Sequence, residues 1–562
     1  MAEKKVFVRK ATGLVREIGF LTAILIVVCN MVGLGWQKRR FQFTGPAIVP
    51  ENSYFLGLPP IVMAFIIVGV VVLLTVWVFA ILGAAMPRSG GGYVYISRIL
   101  SPSIGFLASW TEFFSIAVSY GLIGTAVFEA ILIYSKLAKL PSDLINTLAT
   151  PEVLLIGGMV IVVLFALLAT MGVRMAGMLL QIMFWVPAAI TVLIYGMLLT
   201  ATPSTLTSGI QSFAGQSPTA FTNLAISQGM DVPYSGGYWG AVNYAALGAY
   251  WAYIGFAAST FVAGEIKEVA KNLPKTLFVA NSFVIFLYIS ISALVARAAM
   301  MVGQVTVTAT GNTYSFFSAY SFMSYGGGTL TGIAAALPKA WMPNIAAFIA
   351  FGNGMDWLPF LVLVFAAFWV ANDIPPFILT SSRIIFAMAF DRVLPEKFAE
   401  VNERWHSPIW AVIFVMLVAF IGNFAESDVF PKWFGADNIL SKFINSGGGV
   451  VATDIWDTIF FLLAAVAGLM FVFRRKDIYE RSSYKPSIGG MPLVTIIGLL
   501  ATIGNLWLLY AVASGYGLTY PEVWYFTIIL LAIGAIIYFY YRGKGTRTGV
   551  DYGTIYAEIP PE

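Results

Sequence analysis

The sequence predicts an all-α polytopic membrane protein with twelve transmembrane helices. The 562-residue chain is 59% hydrophobic and only 10% charged, a balance far outside that of soluble domains. It also divides into twelve apolar segments, each near the ~20 residues that a membrane-spanning helix needs. These segments are residues 18 to about 47, 60–86, 104–134, 153–172, 177–200, 240–264, 276–301, 357–390, 408–424, 455–473, 493–514 and 523–541.

Positive charges predict how the chain is oriented in the membrane. Most of the 32 Lys and Arg residues lie on one side of the predicted helices, beginning with Lys4, Lys5, Arg9 and Lys10. Because cationic loops are translocated poorly, this side and both chain ends are predicted to be cytoplasmic, and no signal-peptide pattern precedes the first helix. We therefore expect a multi-pass protein of the plasma membrane, embedded in the lipid bilayer. Basic residues distributed in this way do not form the soluble face that a nucleic acid would need.

The residue types needed for most catalytic chemistry are scarce. Cys29 is the only cysteine and His406 the only histidine. An intrachain disulfide is therefore impossible, and a Cys/His metal site or a Cys–His nucleophile pair is close to excluded. We expect no metal, no cofactor and no enzymatic activity, and the sequence shows no soluble domain that would serve as an ATPase.

The first apolar segment is interrupted near its middle by Asn30-Met31-Val32-Gly33-Leu34-Gly35-Trp36. Each helix-interior glycine costs ~1 kcal/mol, and backbone groups freed in hydrocarbon must find a partner or line a polar cavity. In secondary transporters such breaks expose half-helix ends, whose N–H groups bind anionic groups and whose carbonyls bind cations. The alternative is a glycine-rich packing face or kink between helices.

Two carboxylates fall deep inside predicted helices. Glu112 lies ~13 Å from the cytoplasmic start of the third helix, and Asp373 lies ~15 Å from the cytoplasmic Arg383 if that segment is helical. Carboxylates at such depth are functional by default, so both are candidates for ion coupling, and the alternative is a hydrogen-bonded structural role. Pro375 and Pro376 beside Asp373 remove two backbone donors and predict a kink or break.

Three positive charges, Lys38-Arg39-Arg40, follow the first break on the predicted outer side. Asp454 and Asp457, at the outer start of the tenth helix, are candidate partners. We hypothesise that Arg39 or Arg40 closes an outer gate through a charge-assisted bidentate pair with one of these carboxylates. The alternative is a solvated cluster at the lipid headgroups.

Several motifs resemble those of the amino acid-polyamine-organocation (APC) superfamily of permeases, and the resemblance covers residues 16–475. The matching stretches are a P-x-S-G-G-x-Y signature at 87–93, a G-F-x-x-x-W helix start at 105–110, an aromatic-x-Gly-Phe core at 253–256, an acidic, basic, N-x-P tail at 265–274 and a stretch at 382–395. In the last of these, Arg392 stands where Gly is usual.

The resemblance implies the LeuT-type five-plus-five inverted repeat, with helices 1 and 6 broken at corresponding positions. The expected divisions are a cytoplasmic N-terminus (1–17), a first five-helix repeat (18–200), an extracellular loop (201–239), a second five-helix repeat (240–473), two additional helices (474–541) and a cytoplasmic tail (542–562). Paired breaks in inverted repeats indicate a binding site near the membrane midplane.

The resemblance also implies how a substrate binds. An amino acid carboxylate would meet the N–H groups of Gly33, Leu34 and Gly35, and the ammonium would meet carbonyls around Ile254 and Gly255. A small polar residue is usual in the family at Leu34, so recognition of the carboxylate is expected to differ here. The other residues expected at the site are Asn30, Val32, Trp251, Tyr253 and Phe256, of which Tyr253 and Phe256 would shape the side-chain pocket.

The groups that would couple transport to an ion differ from the family pattern. Many proton-coupled members carry a Lys in the fifth helix, but Pro187 stands at the matching position and that helix contains no Lys. Asp373 and Glu112 are then the candidates for a proton. Thr380 and Ser381 lie where sodium-coupled relatives hold their ion, although helical hydroxyls often bond back to their own backbone.

The resemblance therefore implies a secondary active transporter that takes up amino acids across the plasma membrane by alternating access, with proton coupling favoured over sodium coupling. Its partners would be the amino acid, H⁺ or Na⁺, and the bilayer. Three alternatives stay open: a polyamine or organic cation transporter in which Glu112 and Asp373 meet the cation, an amino acid exchanger, and a sensor that binds substrate without transporting it.

Overall fold

The computed structural model describes residues 14–138, 140–447, 449–517 and 521–559. Within these residues eleven helices are long and apolar enough to cross a membrane. Strands in the described chain are limited to two antiparallel hairpins, β1 (Val305–Thr306) with β2 (Thr313–Tyr314) and β3 (Ser487–Ile488) with β4 (Met491–Pro492). The prediction of an all-α polytopic membrane protein is confirmed.

The N-terminal part of the chain contains the first break and the helices around it. Its α-helices are α1 (Phe20–Met31), α2 (Arg40–Gln42), α3 (Pro60–Ala85), α4 (Gly92–Ile99), α5 (Pro102–Leu137), α6 (Ser142–Leu148), α7 (Pro151–Thr170), α8 (Val173–Thr200), α9 (Pro203–Ala214) and α10 (Pro218–Ser227). A π-helical turn, Gly35–Arg39, precedes α2, and 3-10 turns follow at Gly45–Ala47, Glu51–Ser53 and Phe55–Gly57.

The C-terminal part contains the second break. Its α-helices are α11 (Gly237–Tyr253), α12 (Ala258–Phe261), α13 (Val269–Met300), α14 (Phe316–Tyr325), α15 (Met342–Gly352), α16 (Leu358–Ala371), α17 (Ile374–Phe390), α18 (Ile409–Glu426), α19 (Val429–Phe434), α20 (Ile439–Gly447), α21 (Val450–Arg474), α22 (Lys476–Arg481), α23 (Leu493–Val512), α24 (Pro521–Arg547) and α25 (Tyr552–Ala557). Further short turns lie at Ala263–Glu265, Gly332–Ala334, Glu396–Ala399 and Ala513–Gly517.

The sixth predicted segment explains the difference between twelve predicted helices and the eleven long ones described. That segment, 240–264, is divided between α11, which has 17 residues, and α12, which has four. Neither piece is long enough to cross a membrane alone. The segment predicted as an extracellular loop, 201–239, also differs from the expectation, because it folds into α9 and α10.

The interrupted helices lie at the centre of the molecule. Of the 18 residues in the apolar stretch of the first span, Phe20–Ala47, 78% are buried inside the protein. The corresponding share for α24 is 28%. α3 packs against α11, α13 and α23, and α5 packs against α17, α18 and α21. Apolar side chains exposed on α7, α8 and α24 are the surface that faces lipid in a membrane-spanning bundle.

Candidate functional site

The first break begins where α1 ends. Val32 leaves the helical conformation (φ −85°, ψ 81°), and the backbone is helical again from Leu34 (φ −64°, ψ −35°), which precedes the π-turn that starts at Gly35. The carbonyl of Gly33 accepts a hydrogen bond from the Gln37 side-chain amide at 3.1 Å. The break is therefore a short non-helical stretch whose backbone groups are partly satisfied by side chains.

The second break follows α11. Ile254 is extended (φ −53°, ψ 139°), and Gly255 has φ +102°, a region that residues with a β-carbon rarely adopt. The chain regains helical form at α12. Glycine is therefore required at the turn itself, as the aromatic-x-Gly-Phe core indicates.

The two breaks contact each other directly. A β-carbon on Gly255 would lie 2.8 Å from the carbonyl carbon of Asn30, and one on Gly35 would lie 2.5 Å from the α-carbon of Ala252. The Tyr288 hydroxyl links the breaks by donating to the carbonyl of Ala252 at 3.0 Å and to that of Met31. Sequence reasoning missed Tyr288; its only signal is a hydroxyl in a largely apolar predicted helix.

Asp373 is the charged group at the first break. It lies between α16 and α17 and is 3% exposed. The backbone N–H of Leu34 donates a hydrogen bond to its carboxylate, and a β-carbon on Gly33 would overlap that carboxylate. The structure thus brings Asp373, predicted for ion coupling, onto the backbone predicted to bind the substrate carboxylate.

Further polar atoms around the first break are buried without a hydrogen-bond partner. They are Oδ1 of Asn30, Oε1 of Gln37 and Oδ1 of Asp373. Buried polar groups normally have partners, and each one without a partner costs ~1–3 kcal/mol. Such a group of acceptors at two touching helix breaks is suited to a polar or cationic ligand.

The predicted pocket side chains take part in packing. The Tyr253 hydroxyl donates to the carbonyl of Phe65 at 3.1 Å, and the Phe256 ring lies 4.3 Å from that of Phe461. The Arg39 guanidinium lies over the Trp251 ring, with its central carbon 4.4 Å from the ring centroid. Val32 and Ile254 are buried. These residues border the breaks but are held by neighbouring helices.

The predicted outer gate forms different contacts from those expected. Arg39 donates to the side chain of Gln42, and Arg40 donates to the carbonyl of Ile291 at 3.3 Å. Within the described chain, no ion pair of 4 Å or less joins either arginine to Asp454 or Asp457, although Arg39 interacts electrostatically with Asp454. The gate pair is therefore not formed in this conformation.

Lys38 makes the ion pairs on the predicted outer side. Its Nζ lies 2.7 Å from Glu129 and 2.9 Å from Glu426. These two glutamates, on α5 and α18, were not found by sequence reasoning. Lys38, Arg39 and Arg40 are all buried, so the alternative of a solvated cluster at the headgroups is wrong.

The remaining coupling candidates have partners other than the backbone of the first break. Glu112 interacts with Asp457 on α21, and Asp457 also interacts with Ser115. Glu112 thus belongs to a buried acidic group between α5 and α21. Thr380 donates to the carbonyl of Pro376 at 2.8 Å, and Ser381 donates to that of Phe377 at 2.5 Å. Both hydroxyls therefore donate their hydrogen bonds to backbone carbonyls of α17 itself.

Two charge clusters close the predicted cytoplasmic side. Arg383 pairs with Glu265 at 2.8 Å, and Asp391 binds Arg98 at 2.6 Å and Arg88 at 3.2 Å. The P-x-S-G-G-x-Y motif supplies this second cluster, because Tyr93 also donates to Asp391 at 2.9 Å.

Burial alone would raise the pKa of Asp391, but Arg98 and then Arg88 hold it below its ordinary value. With Lys38 paired on the opposite side, charge pairs lie on both sides of the helix breaks. Between these pairs, Asn30, Ile254 and Asp373 at the breaks are buried.

Comparisons with known proteins show which family the chain resembles. Residues 18–533 match the family model described as Amino acid permease. The chain is 25% identical over 442 residues to the Large neutral amino acids transporter small subunit 2 of Rattus norvegicus, covering 78% of this chain and 70% of that protein. It is 24% identical over 404 residues to the Asc-type amino acid transporter 1 of Homo sapiens, covering 71% of this chain and 64% of that protein.

Proposed function

Because this chain belongs to the amino acid permease family, we propose that it is a secondary active transporter that takes up amino acids across the plasma membrane by alternating access, driven by protons. The related transporters are amino acid transporters by name. The five-plus-five repeat, 18–200 and 240–473, provides the two halves that move against each other.

The contact between the two helix breaks is the observation that carries this proposal. The backbone N–H groups of Leu34 and Gly35 suit a carboxylate, whereas that of Gly33 donates to the Met31 carbonyl at 3.0 Å, and carbonyls around Ile254 and Gly255 suit an ammonium group. An amino acid has both groups on one carbon, so it spans the two breaks when they touch. The buried acceptor of Asn30 favours the ammonium further.

The charge pairs at the two ends supply the gates of the proposed cycle. Opening outward breaks the pairs of Lys38 with Glu129 and Glu426, and opening inward breaks the pair of Arg383 with Glu265. Separating a buried ion pair such as Arg383–Glu265 is costly, and separating the partly exposed pairs of Lys38 costs less. Each gate therefore opens only when contacts elsewhere replace what is lost, which keeps both from opening together.

Protons are the proposed coupling ion because of what surrounds the breaks. Asp373 is a buried carboxyl group at the site, and it would carry the proton that a fifth-helix Lys carries in other proton-coupled members, because α8 contains no Lys. Thr380 and Ser381, the sodium candidates, donate within their own helix. A carboxyl group can carry one proton per cycle without any second ligand.

The test is uptake of a radiolabelled amino acid mixture into proteoliposomes under an imposed pH gradient or an imposed sodium gradient. A third condition has no gradient but unlabelled amino acids inside, so that it measures exchange. Accumulation under the pH gradient supports the proposal. Accumulation under sodium alone moves the coupling site to Thr380 and Ser381. Exchange without gradient-driven accumulation makes the protein an exchanger, and binding without any flux makes it a sensor.

A polyamine or another organic cation is the second candidate substrate, favoured by the carboxylate of Asp373 at the break. Such a substrate has an ammonium group but no carboxylate. Putrescine added as a competitor separates the candidates: it inhibits uptake of the mixture only if the site accepts an amine alone. Inhibition by putrescine but by no amino acid would contradict amino acid transport.

A further inference from the structure

We propose that the Asp373 carboxylate occupies the position of the substrate's own carboxylate on the first helix break, so that substrate binds only when Asp373 becomes protonated and gives that position up. This inference rests on the proposed function and specifies its coupling step. It assigns to Asp373 direct competition with substrate for the same backbone donors.

The chain forces Asp373 toward the break. Asp373 is the N-cap residue of α17, where an aspartate ordinarily accepts hydrogen bonds from the second and third residues of its own helix. Those residues are Pro375 and Pro376, which have no N–H group. The Asp373 side chain accepts no hydrogen bond from the backbone of α17. Its carboxylate instead accepts one from the Leu34 amide of the neighbouring helix.

The first break is shaped to receive this carboxylate. A β-carbon on Gly33 would overlap it, so the absent side chain of Gly33 provides the space that Asp373 fills. An amino acid carboxylate bound at this break would need the same space and the same Leu34 amide, since the Gly33 amide donates to the Met31 carbonyl at 3.0 Å. Two ionised carboxylates in contact cannot both persist in a buried site, so substrate and ionised Asp373 exclude each other.

The neighbours of Asp373 leave a proton as the neutralising group. The titratable groups that face it are the Cys29 thiol of α1 and the Tyr288 hydroxyl of α13. Arg40 interacts with Tyr288 rather than with Asp373. Among the described residues, no Lys or Arg of α5, α11, α16 or α17 forms an ion pair with Asp373.

The proposed step conserves charge and protons. One proton from the open side binds the Asp373 carboxylate. The resulting neutral carboxylic acid then moves away from the Leu34 amide. The substrate carboxylate then takes the amides, and the new O–H of Asp373 donates to it. When substrate leaves on the other side, Asp373 loses the proton and returns to the break. One proton moves with each amino acid.

The test measures binding to the purified protein in detergent, using a radiolabelled mixture of the protein amino acids at several pH values. For the wild type, affinity should fall by up to tenfold for each pH unit above the Asp373 pKa. For Asp373→Asn, which cannot ionise, affinity should not change with pH and should exceed that of the wild type at high pH. Asp356→Asn, at an exposed position just before that membrane segment, is the matched control and should follow the wild type.

A proton count provides a readout that a merely structural role would not move. Adding the amino acid mixture to weakly buffered wild-type protein should take up close to one proton per substrate bound, and Asp373→Asn should take up none. An infrared difference spectrum of the wild type alone should gain a protonated carboxyl band on binding, which keeps the test valid if the variant misfolds.

The outcomes distinguish failure of the proposed competition at Asp373 from failure of the proposed amino acid transport. Wild-type binding that is independent of pH and takes up no proton overturns the competition while leaving amino acid transport intact. Equal proton uptake by Asp373→Asn overturns it as well. Failure of wild type and variant alike to bind or move any amino acid overturns the proposed function.

Discussion

The two ends of α17 carry the same side chain in opposite situations. Asp373 precedes the helix and meets one backbone amide, whereas Asp391 follows it and binds two arginines and a tyrosine. Both are buried. A carboxylate with two cationic partners is fixed in its charged form and holds helices together, whereas one with a single neutral donor is free to change its charge or its partner.

The difference predicts, first, that the two aspartates contribute very unequally to stability. Asp391→Asn removes the negative charge that Arg98 and Arg88 bind in a buried cluster, and such a loss costs ~3–5 kcal/mol. Asp373→Asn keeps an oxygen that accepts from the Leu34 amide, so its cost should be ~1 kcal/mol or less.

Thermal unfolding in detergent, followed by the loss of monodisperse protein, measures both costs. Equal destabilisation by the two variants would contradict the comparison.

A second prediction concerns the glycines of the two breaks. Gly33→Val and Gly255→Val place a side chain where Asp373 or the Asn30 backbone lies. Overpacking of this kind costs ~1–3 kcal/mol, which corresponds to about tenfold to hundredfold weaker substrate binding.

Gly196→Val, on α8, is the matched control, because a β-carbon there meets nothing within 4 Å. Binding of the radiolabelled mixture by protein that inserts normally measures the effect. Unchanged affinity in both break variants would remove the substrate from the breaks.

A third prediction uses the lowered pKa of Asp391. Its stabilising effect is fully present above the ordinary aspartate pKa of ~3.9 and is lost as pH falls through the lower pKa of the folded protein. Each unit of depression corresponds to ~1.4 kcal/mol.

The difference in unfolding midpoint between wild type and Asp391→Asn should therefore be constant at neutral pH and shrink below pH ~4. A difference that shrinks instead toward alkaline pH would mean that Asp391 is not held ionised.

The smallest expected effect is at the outer charge pairs. Lys38 has two carboxylate partners, Glu129 and Glu426, so Glu129→Gln leaves one pair in place. A partly exposed pair contributes ~1 kcal/mol or less, and exchange rates should change by about fivefold or less. Changing both glutamates should have a larger effect than the sum of the single changes, and additive effects would mean that the two pairs do not share one closure.

The sequence predicted the breaks but not their closest partners. Glycine spacing is a local signal, so Gly33, Gly35 and Gly255 were found directly. The partners of Lys38 lie 91 and 388 residues away along the chain, and nothing local links them. Arg39 and Asp454 were paired by charge alone, whereas in the fold the Arg39 guanidinium stacks on Trp251.

Two features that were not predicted do have signals in the sequence. In the segment predicted as a loop, Thr202 and Ser217 each precede a proline and cap α9 and α10, which is a common helix start. Likewise, an aspartate followed by Pro375 and Pro376 cannot cap its own helix and must find donors elsewhere. The break that supplies them depends on tertiary packing, which the sequence does not display.

The most direct measurement is accumulation and exchange of the radiolabelled amino acid mixture in the same proteoliposomes, for wild type and Asp373→Asn. The wild type should accumulate amino acids under a pH gradient and also exchange them. Asp373→Asn should exchange at a comparable rate but accumulate nothing, because it binds substrate without a proton. Accumulation by the variant that equals that of the wild type would contradict the role of Asp373.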